Sequence, residues 1–304
     1  MIKGGPFPHF GLLQGFPKQM IKKKKKGIKM KRRILSIVLV MLMFAVLFSG
    51  CGKSKAVSAA EEAIKAIGEI TIDSGDAIAN AEKLYSILTD SEKSNVKNRL
   101  ELVDAREAFD KLQGEMVYEN AKKAYEKLND VADLCIKGMD DIYGAWYFGI
   151  YKASDSTTSN VFDNMAKETP HLSSQDLKDG ADYYGKLVGG LGYDMLAKIM
   201  VSTKTEGSWQ YCLYAAESAI TLKGDYETIK SEMEEAQNIL QELTTTYDDY
   251  TYYPKLKDYY AAVSSYVEFF KSPSGSFKQL SDTVNNYETN IRTYQSDVGF
   301  LFTK

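Results

Sequence analysis

The sequence predicts an all-α protein, an N-terminal three-helix bundle followed by a larger bundle of long helices. Three observations carry that prediction. Beyond residue 51 the apolar residues recur at three-and-four spacing, the period of an amphipathic helix. Only Pro170, Pro254 and Pro273 remain in that stretch, which is rich in Ala, Glu, Lys, Leu and Tyr. Capping residues and glycines also fall where successive helices would start and stop.

Taken in order, Ala56 to Gly68 reads as a first helix ended by glycine. Asp73 or Ser74 can cap a second, with Ile78, Ala81, Tyr85 and Leu88 on one face. The same capping explains the acidic DSGD at 73–76, which lacks the rest of a calcium loop. Thr89 and Glu92 form a T-x-x-E capping box, predicting a third helix that points Val96, Leu100, Val103, Ala105, Phe109 and Leu112 inward. From Gly114 the pattern lengthens: Met116, Ala121, Ala124, Leu128, Val131, Cys135, Met139, Ile142, Trp146 and Ile150 mark a helix of roughly 50 Å. Its last turns, GAWYFGIY, are apolar almost all round and read as core. Ser154 to Asn160 is a polar loop, and Pro170 to Ser174 opens another helix. Gly189, Gly190 and Gly192 break the chain. Trp209–Leu222 and Tyr226–Leu243 are two more helices divided near Gly224, Pro254 suits a first helical turn, and Phe277–Phe302 closes the chain.

Residues 63–112, AIKAIGEITIDSGDAIANAEKLYSILTDSEKSNVKNRLELVDAREAFDKL, resemble a small helical module that recurs in surface and secreted proteins of Gram-positive bacteria. Ile67, Gly68, Thr71, Ser74, Tyr85 and Leu88 are among the matching positions. The resemblance implies an extracytoplasmic location and a spacer or interaction role, with no catalytic residues to carry over. Residues 115–304 are similar in pattern to other uncharacterised lipoproteins.

The segment MKRRILSIVLVMLMFAVLFSGC, Met30 to Cys51, resembles a bacterial lipoprotein signal peptide. Lys31, Arg32 and Arg33 precede fifteen residues, Ile34 to Phe48, in which Ser36 alone is polar, and Ser49 and Gly50 lead into Cys51. Phe48 stands where that family usually has an aliphatic residue. The resemblance implies that Cys51 is lipidated and becomes the mature N-terminus on the outer face of the cytoplasmic membrane. An uncleaved anchor is the alternative, but a spanning helix needs about 20 apolar residues. Residues 1–29 read as a translated leader from a misplaced start: KKKKKGIKM is what a purine-rich ribosome-binding stretch before ATG would encode. A true basic extension is the competing reading. The organisation expected is therefore an extension (1–29), a signal peptide (30–50), a tether with a three-helix module (51–114) and a long-helix domain (115–304).

From Cys51 onward there are 27 basic and 41 acidic residues, which argues against nucleic acid as a partner. His171 is the only histidine there, too few for a histidine triad or a common zinc site, so neither metal, cofactor nor catalysis is expected. GGLG at 189–192 lacks a phosphate loop's spacing and lysine. Cys135 and Cys212 read as two buried free thiols, with a disulfide between them as the alternative. The acid pairs Asp140–Asp141 and Asp248–Asp249 read as solvated helix faces. The unusual cluster is TYDDYTYYPKLKDYY, residues 246–260, where Tyr247, Tyr250, Tyr252 and Tyr253 offer flat faces and hydroxyls suited to a protein or cell-wall glycan. The alternative is that these rings pack a helix corner. The function expected is a lipid-anchored interaction module or spacer of the cell envelope; the alternative is a small-molecule or glycan-binding lipoprotein, working beside a transporter.

Initiation at Met30 has a direct test. Mass spectrometry of precursor accumulated with the lipoprotein signal peptidase inhibited should find no peptide from residues 1–29, and the tryptic peptide ending at Lys18 would contradict it.

Overall fold

The computed structural model describes residues 54–202, 207–246 and 252–303; Cys51, Tyr247 and Tyr250 lie outside them. Among the described residues there are eleven α-helices and no strand, the all-α class that the periodicity predicts. The chain divides into two compact units, with the boundary between Tyr118 and Glu119.

In the first unit, α1 (Lys55–Lys65) buries Val57, Ala60 and Ile64, one face at three-and-four spacing, and the chain turns at Gly68 with φ +65°. A 3-10 turn, Ile72–Ser74, leads into α2 (Gly75–Ser86), which buries Ile78 and Ala81. The Thr71 N–H donates to Ser74 Oγ at 2.9 Å, so the DSGD segment serves helix entry. Thr89 and Glu92 form the expected box, Glu92 N–H to Thr89 Oγ1 at 3.3 Å and Thr89 N–H to Glu92 Oε2 at 3.0 Å. That box opens only the single turn α3 (Asp90–Lys93); the chain then leaves helical geometry before α4 (Arg99–Tyr151) begins. The interruption resets the helical phase. Leu102, Ala105 and Phe109 face the core, whereas Leu100 and Val103, expected inside, are 67% and 51% exposed.

The helix α4 also runs unbroken through Gly114, where the sequence suggested an end. One interior glycine costs about 1 kcal/mol relative to alanine, less than the helical residues on either side supply. Beyond Tyr118 the stripe Ala121, Ala124, Leu128, Val131, Cys135, Met139, Ile142 and Trp146 is fully buried, as its spacing predicts. Cys135 and Cys212 are buried free thiols, and burial pushes each up to about 12, leaving them protonated and inert.

The other helices of this unit follow as α5 (Val161–Met165), α6 (Ser174–Leu187), α7 (Tyr193–Met200), α8 (Gln210–Lys223), α9 (Asp225–Thr246), α10 (Tyr253–Lys271) and α11 (Phe277–Gly299). The short α5 and α7 have too few turns to show a period in sequence. Gly189 and Gly190 take positive φ after α6, and Gly224 ends α8 in the left-handed conformation. Pro254 sits in the first turn of α10, and Ser276 with Gln279 caps α11, which ends in a 3-10 turn, Phe300–Phe302.

Three glycines on α4 let neighbours approach its backbone. A methyl group at Gly138 would strike the Phe270 ring, one at Gly144 the Glu168 carbonyl, and one at Gly149 the backbone of Trp209. Gly144→Ala should therefore destabilise the fold by roughly 1–3 kcal/mol through overpacking. Gly114→Ala, with open space around the position, should stabilise it by about 0.5–1 kcal/mol. Denaturant melts of both variants check the pair, and effects of the same sign would contradict this packing.

Candidate functional site

The described part of the tyrosine cluster leads to a groove at one end of the second unit. Tyr252 precedes α10 and is half-buried; its ring stacks on Phe302 at 5.6 Å and 24°. Tyr253 is half-buried as the first residue of α10. Phe302 in turn lies 5.4 Å from Tyr125 of α4, and Tyr125 lies 6.0 Å from Tyr259. Tyr259 is fully buried, and its hydroxyl donates to Asn129 Oδ1 at 2.7 Å, so this member of the cluster is core. The cluster is thus divided: Tyr259 holds the helices together while Tyr252 and Tyr253 sit nearer the surface.

The groove has a volume of about 520 Å³ and lies between α4 and the end of α11. Tyr125, Phe300 and Phe302 supply its aromatic wall. Its polar rim includes Lys122, Glu126, Gln295 and Thr303. Phe300 is 78% exposed, an unusual position for a phenylalanine. The wall is held in place: the Tyr125 hydroxyl donates to the Gln295 carbonyl at 2.8 Å. Gly299 makes that approach possible, since a Cβ there would come within 2.5 Å of the hydroxyl oxygen. Tyr125, Phe300 and Phe302 were not singled out by the sequence. Phe300 and Phe302 do carry a signal, two aromatics just past Val298, the last buried position of α11.

Elsewhere the acid pair departs from the solvated face expected of it. Asp141 is only 2% exposed and accepts the His171 N–H at 2.9 Å through Oδ1. Asp140 is exposed, and its Oδ2 is 3.7 Å from His171 Nε2. The Lys223 ammonium donates to the His171 carbonyl at 3.0 Å. Asp141 therefore ties the turn after α5 to α4, a role invisible to periodicity because it depends on a partner thirty residues away. Burial pushes its carboxyl up to about 6, against the opposing pull of the His171 N–H, the His171 ring and Lys223. Burial likewise pushes Glu217 on α8 up to about 8. Asp248 and Asp249 lie outside the described residues. Among the described residues no group of three or more His, Cys, Asp or Glu is placed to hold a metal ion.

No family model, no curated protein and no solved structure matches this chain. The site is therefore read from its own chemistry.

Asp141 gives a pH-dependent expectation. Its folded form binds a proton more tightly than the unfolded chain does, so this group stabilises the fold at low pH. That contribution is lost as pH rises through about 6. Asp141→Asn keeps the acceptor for His171 without the charge and should raise the melting temperature at pH 7.5, with the gain fading as pH falls below about 6. Asp141→Ala leaves the His171 N–H unpaired and should cost about 1–3 kcal/mol at pH 5. A pH-independent effect of Asp141→Asn would contradict the buried carboxyl.

Proposed function

We propose that this chain is a lipid-anchored, extracytoplasmic protein on the outer face of the cytoplasmic membrane, acting as a non-catalytic interaction module or spacer of the cell envelope. The observation that carries the reading is the charged, apolar, small-residue run ending at Cys51. The apolar run Ile34 to Phe48 is fifteen residues, short of the roughly 20 a spanning helix needs, so in this reading the anchor is the lipid on Cys51. Each buried methylene contributes ~0.8 kcal/mol, and two acyl chains suffice for stable attachment. The surplus of acidic residues after Cys51 suits a partner other than nucleic acid.

The aromatic groove beside Tyr252 is the contact surface in this proposal, with a protein or cell-wall glycan as partner. Exposed aromatic surface backed by a fixed wall is the kind of patch that binding sites use. Its volume, about 520 Å³, falls in the range of small-ligand sites, roughly 300–1,000 Å³. That favours a second reading, a small-molecule or glycan-binding lipoprotein beside a transporter.

Radiolabelled palmitate separates anchoring from its absence. Label should enter the wild-type protein and be lost from Cys51→Ala, which should be shed or remain unprocessed. Equal labelling of the two proteins would overturn the proposal.

A further inference from the structure

We infer that the groove formed by Tyr125, Phe300 and Phe302 recognises a neutral oligosaccharide. The inference rests on the reading of this groove as the contact surface and names the ligand class it takes. Aromatic rings, rather than the aliphatic or methionine side chains of a helix-binding groove, make the wall. A pyranose ring offers such a wall its patch of axial C–H bonds while its hydroxyls point sideways. The rim meets those hydroxyls with both donors and acceptors: the Lys122 ammonium, the Glu126 carboxylate and the Gln295 amide.

Charge narrows the class further. Lys122 and Glu126 lie one helical turn apart and give the rim one charge of each sign, so the groove selects for no net charge. From Cys51 onward the chain has 41 acidic against 27 basic residues, an excess that repels polyanionic glycans. A basic peptide would find its counter-charges on that acidic surface and not here. Fixation of Tyr125 by Gln295 means that the ring need not be ordered on binding, which lowers the entropic cost of a weak, shallow contact.

The test uses the purified mature chain, residues 51–304, and three probes: chitotetraose as a neutral oligosaccharide, a hyaluronan tetrasaccharide as an anionic one, and a short leucine- and phenylalanine-rich peptide. Saturation-transfer NMR should show transfer to chitotetraose and not to hyaluronan. Phe300→Ala should weaken that binding about tenfold, the loss of one stacking contact. Because Phe300 is 78% exposed, its melting temperature should stay unchanged. Leu187→Ala, an exposed position on α6, should bind as the wild type does. Absence of transfer to chitotetraose overturns the inference, as do equal binding by Phe300→Ala and preference for hyaluronan. Peptide binding lost in Phe300→Ala, without chitotetraose binding, overturns the ligand class while leaving the groove as contact surface. Palmitate incorporation is independent of all these outcomes, so failure here and failure of anchoring are told apart.

Discussion

The second unit depends on one constraint: α4 must be buried along a full face while other segments come close to its backbone. The stripe from Ala121 to Trp146 meets the first need with fully buried side chains at three-and-four spacing. Gly138, Gly144 and Gly149 meet the second, admitting Phe270, the Glu168 carbonyl and the Trp209 backbone in turn. Aromatic contacts then fix the neighbours: Trp146 stacks on Trp209 at 5.6 Å, and Tyr143 stacks on Phe277 at 4.6 Å. On the approach of α9, Lys123 meets Glu235 in a solvated pair that contributes little, whereas Lys127 meets Glu232 at 2.6 Å with both side chains mostly buried.

The candidate groove is built on the same helix. Tyr125 stands on α4 one turn before Asn129, the acceptor for the buried Tyr259 hydroxyl. The contacts that hold α10 against α4 thus also set the back wall of the groove. Phe302 bridges that wall to Tyr252, which links the surface part of the tyrosine cluster to its buried part. Tyr259 is core, with its hydroxyl satisfied by Asn129 inside the helix packing, whereas Tyr252 is half-buried and stacked on Phe302.

The fold class was legible because helical periodicity is local, and it was strongest where burial is deepest, along α4. Boundaries set by weak forces were harder to read. Nothing in SNVKN, residues 94–98, contains glycine or proline, yet the chain leaves helical geometry there and turns Leu100 and Val103 outward. Gly114 misled in the other direction, since a single glycine is a tolerable cost inside a long helix. Of the groove's surroundings, only Tyr252, stacked on Phe302, stood out. The groove's own aromatics come from segments more than a hundred residues apart, so their meeting is a tertiary fact. Asp141 was missed for the same reason: an acidic residue on a helix is ordinarily solvated, and the backbone N–H that holds it belongs to a distant turn.

The central claim, a helical protein held at the envelope by lipid, is tested most directly by the intact mass of the protein extracted from the membranes of its own cells. The account predicts the mass of residues 51–304 plus a diacylglyceryl modification, with fragmentation placing the added mass on Cys51. A species with an unmodified Cys51, or one that keeps the apolar segment Ile34 to Phe48, would contradict it.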